Sequence, residues 1–174
     1  MRATELNGMK VQDKNSVEIG KLSDLRINLD EFKIENILVS TGGLFSKKYF
    51  TVTLEDLGEI DNYIHLKCSK EDIDQDADLE SRNHEYERYF FKDFQNIYVA
   101  SADARSVGPV KDLCTDLQGS SFKIVIESTS GKFTKNDHFI INHEDIKDIK
   151  EFIILNLKKD EIKQRIKEYK IKKC

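Results

Sequence analysis

A strand-dominated protein, built as two small antiparallel β-barrels in tandem with a short C-terminal α-helix, is predicted by three features of the sequence. Short runs alternate apolar and polar residues, one residue pattern occurs twice at a near-constant offset, and glycines stand at matching places in both copies. FTVTL sets Phe50, Val52 and Leu54 on one face against Thr51 and Thr53 on the other. That is the period-two signal of a half-buried strand. YIHLKC repeats it with Ile64, Leu66 and Cys68 inward, FKIVIE alternates from Phe122 through Ile124 to Ile126, and FIILNL is apolar enough to be buried on both faces.

The repeat is read residue by residue. At an offset of 88, Val11 falls on Val99, Ile19 on Val107, Gly20 on Gly108, Leu22 on Val110, Asp24 on Asp112, Leu25 on Leu113 and Leu29 on Leu117. One extra residue in the second copy makes the offset 89, and Phe50 then falls on Phe139, Asp56 on Asp145, Leu57 on Ile146, Ile60 on Ile149, Ile64 on Ile153 and Leu66 on Leu155. The predicted organisation is a first barrel over 1–68, an acidic linker over 69–92, a second barrel over 93–157 and a basic amphipathic helical tail over 158–174. Gly20 and Gly108 mark the passage from one apolar run to the next, where a turn or bulge needs positive φ or close backbone approach. TGG at Thr41–Gly43 and TSG at Thr129–Gly131 follow strands, as hairpin connections do. LEDLGEI and HEDIKDI each predict a helical turn ahead of the last strand. Closing or covering the edges of so small a sheet is the economical arrangement.

Composition excludes several function classes. With 174 residues, a formal charge of −4 and a sequence pI of about 5.6, the chain offers no broad positive field for nonspecific nucleic-acid binding. No apolar stretch approaches the ~20 residues of a membrane span, MRATELNGMK lacks the apolar block of a signal peptide, and a cytoplasmic protein is expected. Three cysteines, Cys68, Cys114 and Cys174, are an odd number without paired spacing, which argues against a disulfide framework.

The string EIGKLSDLRINLDEFKIENILVS, followed by YFTVTLEDLGEIDNYIHLK, resembles the PRC-barrel family. Ile19, Gly20 and Asp24 match that family's glycine-containing turn, and Leu57, Ile60 and Ile64 match its later apolar spacing, although Thr53 stands where proline is frequent. VGPVKDLCTDL through HEDIKDIKEFIIL looks like the same family with more drift, keeping Val107, Gly108 and Asp112. The resemblance covers roughly residues 5–68 and 93–157. It implies a binding module: family members include the cytoplasmic barrel of the photosynthetic reaction centre H subunit and half of the ribosome maturation factor RimM. Proteins made only of such barrels look characteristic of archaea, some being similar to scaffolds of the FtsZ-based division machinery. The resemblance brings no catalytic residue. Gly20, Asp24, Gly108 and Asp112 are expected to define the fold, each Asp satisfying turn amides.

Asp74, Asp76, Asp78, Glu80 and Glu85 occupy positions 1, 3, 5, 7 and 12 of an EF-hand register, but Leu79 replaces the required glycine and strands flank the segment, so an acidic spacer is expected. His65, His84, His138 and His143 do not pair with cysteines at zinc-ligand spacing. No nucleophile has an evident activating base, so a non-enzyme without metal or cofactor is expected. The tail, KKDEIKQRIKEYKIKKC, carries eight Lys/Arg against three acids, with Ile162, Ile166 and Tyr169 at helical spacing. Ile162, Arg165, Ile166 and Tyr169 form a candidate partner-binding face, the alternative being a stripe packed on the second barrel. The expected function is a cytoplasmic adaptor or scaffold that binds protein partners, with a division assembly as one setting. The alternative is a RimM-like factor touching RNA through the tail; membrane contact is not expected, and a homodimer is open to the chain.

Overall fold

A computed structural model describes residues 1–43, 46–73, 88–129 and 137–169. The chain divides into two compact units, each considered by itself. Unit 1 gathers Met1, Ala3–Lys92 and Asp116–Ser121, and unit 2 gathers Arg2, Asp93–Thr115 and the residues from Phe122 onward.

Unit 1 begins with one helical turn, α1 (Ala3–Leu6), whose Leu6 is fully buried. The strands are β1 (Lys10–Gln12), β2 (Glu18–Asn28), β3 (Lys33–Thr41), β4 (Lys48–Thr53), β5 (Leu57–Ile60), β6 (Tyr63–Leu66) and β7 (Arg88–Phe90). They pair in the order β5-β6-β1-β2-β3-β4, with β7 on the far end of β2. A 3-10 turn, Leu54–Asp56, joins β4 to β5 without a ladder between them. The alternation read in the sequence is the burial alternation of the strands: Phe50 and Val52 point inward, as do Ile64 and Leu66.

Two details differ from a closed antiparallel barrel. The ladder among the described strands is open, and β1 pairs with β6 in parallel, Val11 opposite Ile64. Hairpin signals are local, whereas a parallel pair joins strands whose connection spans most of the unit, so no short-range pattern reports it.

Unit 2 repeats the order element by element. Apart from Phe91, Lys92, Asp116 and Ser121, which fall in unit 1, it comprises α2 (Phe91–Phe94), β8 (Tyr98–Ala100), β9 (Ser106–Asp116), β10 (Ser121–Ser128), β11 (Asp137–Ile141), a 3-10 turn His143–Asp145, β12 (Ile146–Ile149), β13 (Ile153–Leu155) and α3 (Lys159–Tyr169). The strands pair as β12-β13-β8-β9-β10, with β11 on β10 and β8 parallel to β13. Positions 3–6, 10–12 and 18–28 map by 88 onto 91–94, 98–100 and 106–116; 54–56 and 57–60 map by 89 onto 143–145 and 146–149. Backbone hydrogen bonds repeat as well: Leu22 N donates to Met9 O and Val110 N to Ile97 O, both at 2.8 Å. Positive φ recurs at Ser16 and Ala104 (62° and 56°) and at Phe32 and Ser120 (54° and 53°), positions whose residue types do not announce it.

The predicted fold-defining residues lie inside β2 and β9 and not in turns. Gly20 opposes Val11, with Glu18 opposite Gln12, so one extra residue bulges from β2; Gly108 stands at the matching bulge opposite Val99. A Cβ on Gly20 would come within 2.5 Å of the Ser40 carbonyl oxygen, and one on Gly108, where φ is 154°, would overlap the Glu127 carbonyl oxygen. Close backbone approach is what demands glycine here. Asp24 and Asp112 are buried, and each accepts the next residue's amide at 2.8 Å, from Leu25 and Leu113. Buried carboxylates so placed satisfy backbone donors that a strand bulge leaves out of the ladder.

The cysteines include one bridge beside the reading against a disulfide framework. Cys68 is free and half-buried, but Cys114 is disulfide-bonded. An odd count speaks against a framework of paired bridges; one bridge needs only two Cα atoms about 5–6 Å apart, which folding decides.

Candidate functional site

Unit 1 carries a cavity of about 300 Å³ beside its β3–β4 hairpin. Thr41, Gly42 and Ser46 supply its hairpin side, and β4 supplies Lys48, Tyr49 and Phe50. Strand alternation explains this wall: Phe50 is buried at 5% exposure, Tyr49 is half-buried and Lys48 is exposed at the strand's start. The opposite wall is Lys70 with Ile73, from the 3-10 turn Lys70–Asp72 that follows β6.

That turn is held by its own capping box. Asp72 Oδ2 accepts the Ser69 amide at 2.9 Å and the Ser69 hydroxyl at 2.6 Å, and Lys14 Nζ lies 3.4 Å away. The Ser69 hydroxyl and amide, then Lys14, stabilise the ionised carboxylate and bring the Asp72 pKa down to about 2. Lys70 is thereby fixed on the cavity rim while Asp72 is engaged elsewhere. Neither Lys48 nor Lys70 makes an ion pair with a described residue. An apolar floor with two cations that pair with no described residue, beside the hydroxyls of Thr41 and Ser46, suits an amphipathic, negatively charged binding partner.

The tail is placed differently. Ile162 and Ile166 are both buried at 3% exposure within unit 2, where α3 packs against β11. Arg165 donates to Asp145 Oδ1 at 3.0 Å, and the Asp145 side chain is 5% exposed. These three candidate partner-binding residues therefore serve the fold of unit 2. Tyr169 ends the helix, and its side chain lies outside the described residues. Lys158 and Lys163 remain exposed, the latter paired with Asp160.

The EF-hand register at 74–85, His84 and Cys174 lie outside the described residues. Among the described residues no three His, Cys, Asp or Glu side chains converge on one point. His65 Nε2 contacts Asp61 Oδ1 at 3.1 Å, an exposed pair. No described helix is long and apolar enough to cross a membrane.

Sequence reasoning did not find the cavity. Lys48 falls outside every run singled out above and Lys70 lies in the acidic spacer, and only the return of the chain after β6 brings them to one place.

Residues 1–73 match the family model of the PRC-barrel domain, the span that holds the β3–β4 hairpin and the Lys70–Asp72 turn. No curated protein matches the chain.

Proposed function

We propose that this chain, whose first 73 residues match the PRC-barrel domain model, is a non-catalytic adaptor that binds protein partners through that region. The observation that carries the reading is the cavity on unit 1, with its apolar floor of Tyr49, Phe50 and Ile73 and its rim of Lys48 and Lys70. Such a surface recognises by shape and charge. In this reading unit 2 is a drifted copy of the same module, and the resemblance to barrel-only archaeal proteins makes a cytosolic division assembly the first setting to examine. The test is affinity capture with the full-length chain from native lysate under gentle conditions. Specific, stoichiometric protein partners are expected; a chain recovered alone ends the adaptor reading.

A second reading has its own observation. Lys158, just before α3, and Lys163 on it, the latter paired with Asp160, leave basic surface even though the helix's apolar stripe is buried, which suits a RimM-like contact with RNA. Deleting the tail is a poor test because it would also strip Ile162 and Ile166 from unit 2. Lys158→Glu with Lys163→Glu keeps the helix, and full-length protein with no RNA affinity at low salt dismisses this reading.

A further inference from the structure

We propose that the outer face of β8 and β13 in unit 2 docks a second copy of this chain, through a two-fold pairing centred on Tyr98, Phe152 and Ile154.

The face follows from the strand register. Val99, Ile153 and Leu155 are buried, so the residues that alternate with them lie on the other side of the sheet. β8 and β13 pair in parallel with Ile154 opposite Ala100, and one step back the same register sets Phe152 beside Tyr98. On one flank Asp148 of β12 pairs with Ile154, and Lys150 stands opposite Phe152, donating its amide to the Phe152 carbonyl at 3.1 Å. On the other flank Pro109 and Ser106 of β9 pair with Tyr98 and Ala100. Tyr98 is 57% exposed and Phe152 44%. They are two of the four exposed large apolar side chains among the described residues, and they are neighbours.

Unit 1 shows that the fold does not ask for an apolar surface here. At the matching positions it carries Lys10 for Tyr98, Gln12 for Ala100, Lys21 for Pro109 and His65 for Ile154. Lys10 pairs with Glu18 at 2.8 Å and His65 contacts Asp61 at 3.1 Å, as on a solvated surface. Tyr63, the counterpart of Phe152, keeps an aromatic ring but is half-buried.

The occupant is a second copy because the face complements itself. A two-fold axis lying in the interface, perpendicular to the strands and midway between the Tyr98 and Ala100 levels, lays each level over the other level of the partner. Lys150 then meets the partner's Asp148, Phe152 the partner's Ile154 and Tyr98 the partner's Ala100. Opposite charges oppose at the edge, and a larger side chain meets a smaller one at the centre. Lys150 and Asp148 already lie 2.8 Å apart within one copy, so the pairing closes a four-charge network. The same operation on unit 1 would oppose Asp61 and Glu59, two like charges. The two aromatics expose about half of the ~150–250 Å² each ring residue carries, well under the ~800 Å² per partner of a standard interface. The dimer is therefore weak and concentration-dependent.

The experiment is sedimentation velocity of the full-length chain from about 10 μM to about 1 mM at low salt. A reversible shift from monomer to dimer is expected, with monomer alone on a denaturing gel run without reductant. Tyr98→Lys with Ile154→His, which installs the residue types of unit 1, should weaken association at least about tenfold and leave the melting temperature unchanged. Asp148→Lys and Lys150→Asp should each weaken it about tenfold, since the two-fold doubles every like-charge contact. Mixed in equal amounts, these two single variants should associate as the unaltered chain does, because each crossing is again lysine on aspartate. A chain that stays monomeric at about 1 mM, a dimer indifferent to Tyr98→Lys with Ile154→His, charge variants that do not weaken or do not recover on mixing, or a dimer held by a disulfide each overturns the proposal.

Discussion

The two units share a backbone and differ in how the last strand ends. In unit 2, β13 runs into α3, which buries Ile162 and Ile166 and seals Asp145 with Arg165. In unit 1, β6 runs into a capped single turn whose Ile73 and Lys70 look onto a cavity. Glycine bulges, the parallel strand pair and the amide-binding aspartates are common to both. The repeat thus keeps the features that satisfy its backbone, while the β4/β11 face differs: unit 2 packs α3 on it, and in unit 1 Lys48 and Lys70 line it without an ion pair to any described residue.

The sharpest break in that comparison is expected at the aliphatic positions. Ile166→Ala should destabilise unit 2 by about 2–5 kcal/mol in chemical denaturation, because a fully buried isoleucine leaves a cavity. Ile73→Ala on the half-buried wall should cost under about 1 kcal/mol. Equal losses would mean that both faces are covered alike. Next come the glycines: Gly108→Ala should cost about 3 kcal/mol, since φ of 154° and the Glu127 carbonyl both oppose a Cβ. Gly20→Ala, without the positive φ, should cost about 1–3 kcal/mol as the Ser40 carbonyl and Val39 are pushed aside. Matching melting curves for the two would show that the bulges are not strained differently.

Arg165→Ala should remove about 1–3 kcal/mol by leaving Asp145 buried without its cation, with Arg165→Lys recovering part of it. The smallest effect concerns pH. Asp72 titrates at about 2, below its ordinary 3.8, because its ionised form is the one bonded to Ser69 and Lys14. Its contribution to the Ser69–Asp72 turn is therefore complete above about pH 4 and fades as pH falls through about 2. Carboxyl and amide resonances of Ser69–Ile73 followed by NMR should move together in that window; a midpoint near 3.8 would show that the cap does not hold the turn.

Much of the fold is legible in the residues, and most of the site is not. Alternation over FTVTL and FKIVIE reports strands because a pleated backbone sends successive side chains to opposite faces. Gly20 and Gly108 are visible because only hydrogen fits against a neighbouring carbonyl. The one-turn helices α1 and α2 escape notice, since four residues carry too little periodicity to read. The acidic composition of 69–92 masks the fact that Lys70 belongs to the cavity, and the basic tail, legible as amphipathic, does not reveal which way its stripe faces.

By itself the sequence determined the repeat, its offset of 88 to 89, the strand character and the places where glycine is required, all consequences of local sterics and side-chain period. Only the tertiary structure decided that β1 meets β6 in parallel, that α3 turns Ile162 and Ile166 inward, and that Lys48 and Lys70 face one cavity. Those outcomes depend on contacts between residues far apart in the chain, where closure of long segments and burial of shared surface, not local preference, set the result.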